Sequence, residues 1–375
     1  MIYSRHRPNP EIYELVNEST ICNRSVAIFV PSLSGGGAQR VVIDLSNSLT
    51  TLGYPVNLVL GNSSNYYTNL LNPNIEIHDL GVKRIRYAGH PLGRWLSYHK
   101  PESLLVVQRH AAIIAALAKR WSGWKGNLFV RETNTYCYPS EAHRHLTDRL
   151  VALIARRIYR NMAGIIAPSR GIAKDLNNCN NVHVIPNPVY VPRSRQIFQH
   201  PRPFVLGVGR LCEQKRFSDL VRAFKLVVND FDSNPLDLII LGEGEEHDSL
   251  HKLATTLKVD DRLILPGFDP DPFQYMRAAK VFVLSSAWEG LPNALIQAMA
   301  CHCPVVATDC KHGPREILVN GEWGNLVQVG DINSMANAIK HCLTQGRQVY
   351  PPKLMDRYNP TVVAKAYSKL LLGIR

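Results

Sequence analysis

Two cations, one carboxylate and a proline-led helix start stand at strand ends in the second half of this chain, and their types suit an anion with two phosphates. Gly207-Val208-Gly209-Arg210-Leu211-Cys212-Glu213-Gln214-Lys215-Arg216 follows an apolar run and sets Arg210 and Lys215 at one strand's carboxyl end, where open parallel sheets bind ligands. Arginine offers a planar fork and lysine a compact point charge, a pair that fits a diphosphate better than a solvated loop closed through Glu213. Farther on, residues 285–318 begin as a buried strand, pass through Glu289 and enter a helix behind Pro292. Gly290 permits a tight backbone, and a proline at the first helical position leaves the N–H groups near Leu291, Asn293 and Ala294 aimed at an anion. Gly313-Pro314-Arg315-Glu316 repeats that arrangement one βα unit later. Polar groups converging on one sheet edge imply one ligand.

Alternating strand and helix patterns must position these groups. Strand signals at 25–32, 56–60, 104–107, 128–130, 164–167 and 182–185 alternate with helical ones such as 38–51, 111–121 and 143–160, which is βαβ patterning and predicts a parallel sheet covered on both faces. Pro188, Pro192, Pro201 and Pro203 mark 188–203 as a linker. The pattern then restarts, with strands at 204–208, 236–241, 263–265, 281–284, 305–308 and 326–329. The expected fold class is therefore α/β with two doubly wound, Rossmann-like domains facing a cleft: an N-terminal extension at 1–24, a first domain at 25–187, the linker, a second domain at 204–350, and a C-terminal segment at 351–375 whose last helix can pack back on the first domain. Ser34-Gly35-Gly36-Gly37-Ala38-Gln39-Arg40 follows the first strand and opens a helix, a place where backbone N–H groups cradle an anion or simply turn the chain. It lacks the G-x-G-x-x-G spacing of a dinucleotide site, and the second strand ends at Gly61 rather than at an acid.

With 375 residues, 45% hydrophobic and 19% charged, the chain has the composition of a globular enzyme. No secretory signal and no apolar run of ~20 residues is visible, so the expectation is a cytoplasmic protein. The eight cysteines form no C-x-x-C pair, which suits reduced thiols. Net charge is +13 and uneven: residues 1–200 hold 23 Lys/Arg against 11 Asp/Glu, or +12, and residues 201–375 hold 20 against 19, or +1. A basic half implies an anionic partner; with no nucleic-acid signature, an anionic membrane face or a phosphate-bearing acceptor is expected and nucleic acid is not. Asp269-Pro270-Asp271 has the D-x-D spacing of metal-dependent transferases, but Asp271 reads as a helix cap; Cys301-His302-Cys303 is too tight for zinc and reads as a helix end. No metal or cofactor is expected. Residues 143–160 read as a core helix with a basic solvated face or as a membrane-surface helix.

The series VGRLCEQKRFSDLVRAF, LGEGEEHDSL, LPGF, SSAWEGLPNALIQAMACHCPVVATDCKHGPREIL and GNLVQVGD resembles the family 4 retaining glycosyltransferases of GT-B fold. It covers nearly the whole second half; the first half matches through GGGAQRVVIDLSNSL, APSRGIAKDL and VIPNPV. The resemblance implies a nucleotide-sugar donor, with UDP the expected nucleotide, whose diphosphate is held by Arg210 and Lys215 and whose sugar meets Glu289, the donor site being completed by Gly209, Gly290, Leu291, Pro292, Asn293, Gln297, Gly313 and Glu316. Gln297 stands where the family's second glutamate binds ribose hydroxyls, so an amide replaces a carboxylate. His302 replaces a common helix-end glycine. Thr133 takes the place of a frequent first-domain histidine, which leaves Glu132 and Asn134, with Gly35, Gly36 and Gly37, as acceptor-side groups for a glycan or lipid-linked acceptor. The rivals are a nucleotide-sugar epimerase of similar architecture and a degenerate basic binding protein.

Overall fold

The computed structural model describes residues 25–33, 36–62, 68–133, 154, 157–192, 196–230 and 235–374. The first sheet is parallel throughout, in the order β3-β2-β1-β4-β5-β6-β7, with β1 Val26–Val30, β2 Val56–Leu60, β3 Glu76–Asp79, β4 Ser103–Val107, β5 Asn127–Arg131, β6 Gly164–Ala167 and β7 Val182–Val184. The second is also parallel, in the order β10-β9-β8-β11-β12-β13, with β8 Phe204–Val208, β9 Asp237–Leu241, β10 Leu263–Gly267, β11 Val281–Leu284, β12 Val305–Thr308 and β13 Asn325–Val327. Both orders start at an inner strand and reverse there, so each sheet has a switch point where β1 meets β4 or β8 meets β11.

The central strands are buried at every position because helices cover both faces: β1 and β11 are apolar throughout, and β4 and β9 are apolar after a first polar residue, Ser103 and Asp237. The helices of the first domain are α1 Gly37–Thr51, α2 Gly89–His99, α3 Arg109–Ser122 and α4 Arg170–Asp175. Those of the second are α5 Phe217–Asp230, α6 His247–Leu257, α7 Phe273–Ala278, α8 Asn293–Ala300, α9 Pro314–Ile317 and α10 Ile332–Gln345, followed by α11 Pro352–Asp356 and α12 Pro360–Leu372. Each sheet has one apolar cluster per face. The last helix returns to the first domain, where Val363, Tyr367 and Leu371 are buried among Val26, Ile28 and Val56 and the Ser103 hydroxyl donates to the Leu371 carbonyl.

Two elements escape sequence patterning. β3 is an edge strand of mixed polarity, Glu-Ile-His-Asp, with no position fully buried, so it shows no apolar run. The start of α2, Gly89-His90-Pro91, reads as a turn, yet Gly89 packs under the Trp121 ring and Gly93 against the Ala118 backbone of α3. A Cβ at Gly89 would press on the Trp121 ring at 3.1 Å, whereas one at Gly93 would meet the Ala118 carbonyl oxygen at 3.5 Å, an ordinary contact. Residues 143–153, most of the helix expected at 143–160, lie outside the described residues.

Candidate active site between the two sheets

The carboxyl ends of both sheets face a cleft of about 640 Å³. On the second-domain side, β8 runs into Gly209 and Arg210, and a short 3-10 turn, Glu213–Lys215, follows. The stem of Lys215 lies over Gly209, where a Cβ would stand 3.1 Å from Lys215 Cε. Gly242, at φ +140°, would drive a Cβ to 1.8 Å from the Gly209 carbonyl oxygen, so the turn after β9 can hold only glycine there. That turn is fixed on Arg210's neighbours: Gly209 N–H donates to the Leu241 carbonyl and Leu211 N–H to the Glu243 carbonyl.

Lys215 Nζ donates to Glu289 Oε1 at 2.5 Å, and the Ser286 hydroxyl donates to the same oxygen at 2.7 Å. Glu289 is 6% exposed. Around this pair Ser285 Oγ donates to the Lys215 carbonyl, Gln214 Nε2 to the Trp288 carbonyl, and Thr308 Oγ1 to the Ser286 carbonyl. The 213–216 turn and the loop after β11 therefore hold each other. Beside them burial, with the nearby Glu289 charge adding to it, pushes the Cys310 thiol up to about 12; it stays protonated. Arg210 is exposed, and among the described residues no partner holds its guanidinium.

Helix α8 starts at Asn293, with Pro292 one place ahead of it in the cap position rather than at the first helical one. Gly290, Leu291, Pro292, Asn293, Ala294 and Gln297 all line the cleft. The same loop is tied to the first domain. Ser169 Oγ donates to the Gly290 carbonyl at 3.2 Å, Asn187 Nδ2 to Asn293 Oδ1 at 2.6 Å, and Asn293 Nδ2 to the Gly37 carbonyl at 3.3 Å. Behind it, Asp175 accepts from His312 Nε2 at 2.8 Å and pairs with Lys311 at 3.2 Å. One loop thus serves both as a cleft wall and as a contact between domains.

The expected residues do not all converge. Gly36, Gly37, Gly209, Arg210, Lys215, Glu289, Gly290, Leu291, Pro292, Asn293 and Gln297 line the cleft. Gly313 does not; it sits behind, at φ +82°, where a Cβ would meet Pro292 Cδ at 2.5 Å, so it permits the 290–292 loop to approach. Glu316 accepts a bond from the Arg170 N–H and faces the first domain rather than a donor. The acceptor-side expectation for Glu132 is corrected: it does not line the cleft but is 3% exposed, accepts from the Tyr159 hydroxyl and lies 3.7 Å from Arg109. Arg131 and Thr133 on either side of it reach the cleft, as alternation in the extended segment leaving β5 dictates. Gly35 and Asn134 lie outside the described residues. His302 takes the left-handed conformation, φ 57°, that the helix end requires. Asp269 and Asp271 accept from the backbone N–H groups of Asp271 and Phe273, as a capping turn does.

Sequence reading missed Gln39, Gln108, Arg131 and Asn187 on the first-domain wall and Glu243 and Phe268 on the second. Two of these left a signal. Glu243 lies in a glycine-alternating run directly after a strand, and Asn187 stands between two prolines at the domain junction. Gln108 left none, since its φ of 82° is a property of the folded turn.

A family profile described as Glycosyltransferase Family 4 matches residues 35–193, and one described as Glycosyl transferases group 1 matches residues 192–359. The chain is a family 4-type glycosyltransferase of GT-B fold. Among its relatives is the N-acetylgalactosamine-N,N'-diacetylbacillosaminyl-diphospho-undecaprenol 4-alpha-N-acetylgalactosaminyltransferase of Campylobacter jejuni, 29% identical over 93% of this chain and 100% of the relative. Another is the lipopolysaccharide 1,6-galactosyltransferase of Escherichia coli, 23% identical over 78% of this chain and 79% of that one. The fold matches that of Anabaena Alr3699/HepE in complex with UDP and glucose, with a TM-score of 0.75, 19% identity and coverage of 94% of this chain and 100% of that one. In this glycosyltransferase the two-domain α/β architecture expected from the sequence is present, and no helix among the described residues is long and apolar enough to cross a membrane.

Proposed function

We propose that this glycosyltransferase moves a hexosyl or N-acetylhexosaminyl group from a UDP-sugar to a hydroxyl of a lipid-linked glycan or polysaccharide precursor, with retention at the anomeric carbon and without a metal, at the inner face of a membrane. One observation carries the reading: an exposed guanidinium, a lysine, a helix start and a nearly buried carboxylate, drawn from two βα loops, the one after β8 and the one after β11, line one cleft. Breaking the bond to the leaving diphosphate puts negative charge on phosphate oxygens and positive charge on the sugar. Arg210, Lys215 and the N–H groups at the start of α8 are preorganised for the first, and Glu289 for the second. Lys215 bridges the two regions, since it already reaches Glu289. No carboxylate or histidine of the first domain lines the cleft among the described residues, which supports a front-face route in which a donor phosphate oxygen takes the acceptor proton. Relatives that act on a diphospho-undecaprenol glycan and on lipopolysaccharide support the acceptor class.

The test offers UDP-hexoses and UDP-N-acetylhexosamines, in chelator, with undecaprenyl-diphosphate glycans as acceptors, and reads the product anomer by NMR. Transfer with the donor's α configuration kept is expected. Release of an epimerised nucleotide sugar without acceptor, or an inverted product, would overturn the proposal.

A further inference from the structure

Three elements of the first domain, the 83–87 turn, α2 and α3, bring an excess of cations onto one surface. Between residues 82 and 126 there are nine Lys/Arg and one acid, Glu102. Arg109 turns to Glu132, and Lys119 donates to the Gly126 carbonyl. The remaining seven are exposed, among them Lys83, Arg84, Arg86 and Arg94. Aromatic rings stand out beside them: Tyr87 is 58% exposed, Tyr98 83% and Trp121 64%. They belong to one surface. The 3-10 turn Ile85–Tyr87 packs on α2 and α3, Trp121 lies across Gly89 at the start of α2, and Arg86 covers the Tyr87 ring at 4.9 Å. This surface also borders the cleft side of the first sheet, because Val82 N–H donates to the carbonyl of Gly61, where β2 ends, and Ile85 and Val82 pack over Gly61.

We infer that the exposed face of the 83–87 turn, α2 and α3 is where the first domain docks on an anionic bilayer. The inference rests on the proposed lipid-linked acceptor. A net positive charge field attracts an anionic leaflet, and tyrosine and tryptophan settle at headgroup depth, where one end of the ring is apolar and the other wet. The edge strand β3, whose His78 packs on Trp95 of α2, adds exposed Glu76 and Asp79. Seven exposed cations outnumber the acids around them, so the face is predominantly cationic, unlike an ordinary solvated surface, which balances signs. Placing it beside the strand ends brings the cleft close to the leaflet that would present the acceptor.

Flotation of the full chain with vesicles of phosphatidylcholine alone, or with one part in four of phosphatidylglycerol, tests it. Wild type is expected to float only with the anionic vesicles and to release at high salt. Replacing Lys83, Arg84 and Arg86 by Ser should lower partitioning on the order of 100-fold, from about 1 kcal/mol per basic residue converted to a ratio. Tyr98→Ala should weaken the binding that survives moderate salt. A triple variant that floats like wild type, or a wild type that ignores anionic vesicles, would overturn the inference. So would binding of a nonspecific RNA in preference to those vesicles. Thermal shift with UDP-sugars on the same samples separates failures: retained donor response without flotation sinks only this surface, whereas loss of the donor response would sink the glycosyl-transfer reading.

Discussion

In the free protein the lysine proposed to hold the donor's diphosphate is already held by the carboxylate proposed to meet the sugar. Lys215 Nζ is 2.5 Å from Glu289 Oε1, with side chains 17% and 8% exposed. A diphosphate arriving at Lys215 therefore competes with Glu289 and also meets its negative charge. Replacing Glu289 by Gln weakens the competition and removes the negative charge while keeping an oxygen that accepts from Ser286. A charge-assisted hydrogen bond is worth about 1.5–3 kcal/mol, and two unit charges about 6 Å apart repel by roughly 3 kcal/mol at an effective dielectric of 20. Because the amide still binds Lys215 and the site is hydrated, only part of this is recovered. UDP without sugar should bind Glu289→Gln about tenfold more tightly than wild type, a gain of about 1.4 kcal/mol. Sugar transfer should fall by about two orders of magnitude, as when one charge-stabilising group is lost. Isothermal titration with UDP, beside initial rates with UDP-sugar, gives both numbers. Weaker UDP binding by Glu289→Gln would show that Lys215 is a structural partner of Glu289 and not the diphosphate cation.

Arg210→Ala should lower kcat/KM by about 2–4 kcal/mol of transition-state stabilisation without moving the unfolding temperature, because this side chain is exposed and no partner among the described residues is lost with it; unchanged kinetics would remove it from the site. Gln297→Glu should retain or improve donor affinity, since it restores an acceptor for ribose hydroxyls from a helix position that lines the cleft, and a loss of donor binding would contradict that placement. Burial lifts the Asp44 carboxyl from 3.8 to about 6, although Arg40 opposes the shift. The folded state thus binds this proton more tightly than the unfolded one, so stability falls as pH rises between those values and the full penalty, on the order of 3 kcal/mol at most, applies above about pH 6. Asp44→Asn should accordingly raise the calorimetric Tm relative to wild type at pH 7.5 and lose that advantage near pH 4; a pH-independent difference would contradict it.

How far the site could be read from sequence depended on whether a residue's role is local. Arg210, Lys215, Glu289 and the α8 start are legible because each follows an apolar strand directly, and strand ends share one edge in a parallel sheet. Glu132 and Thr133 show the limit. They are adjacent, and which of them meets the cleft is decided by alternation in the extended segment just past β5, a one-residue matter that the flanking pattern leaves open. Glu316 and Gly313 repeat the Glu289 arrangement in sequence, yet Glu316 bonds the Arg170 N–H of the first domain and Gly313 makes room for Pro292 within the second. The strand β3 and helix α2 were invisible for opposite reasons: one is too polar and exposed, and the other opens on glycine and proline that look like a turn but allow close helix packing.

Titration of wild type and an Arg210→Ala/Lys215→Ala double variant with a panel of UDP-sugars, read as a shift in unfolding temperature, asks most directly whether this cleft takes a sugar nucleotide through its diphosphate. A ligand bound only by the folded state at 100 times its Kd adds about 2.7 kcal/mol, so at least one UDP-sugar should raise the wild-type Tm by several degrees and leave the double variant unmoved. Equal shifts in both proteins, or none in wild type with any donor, would contradict the assignment of Arg210 and Lys215 to the donor.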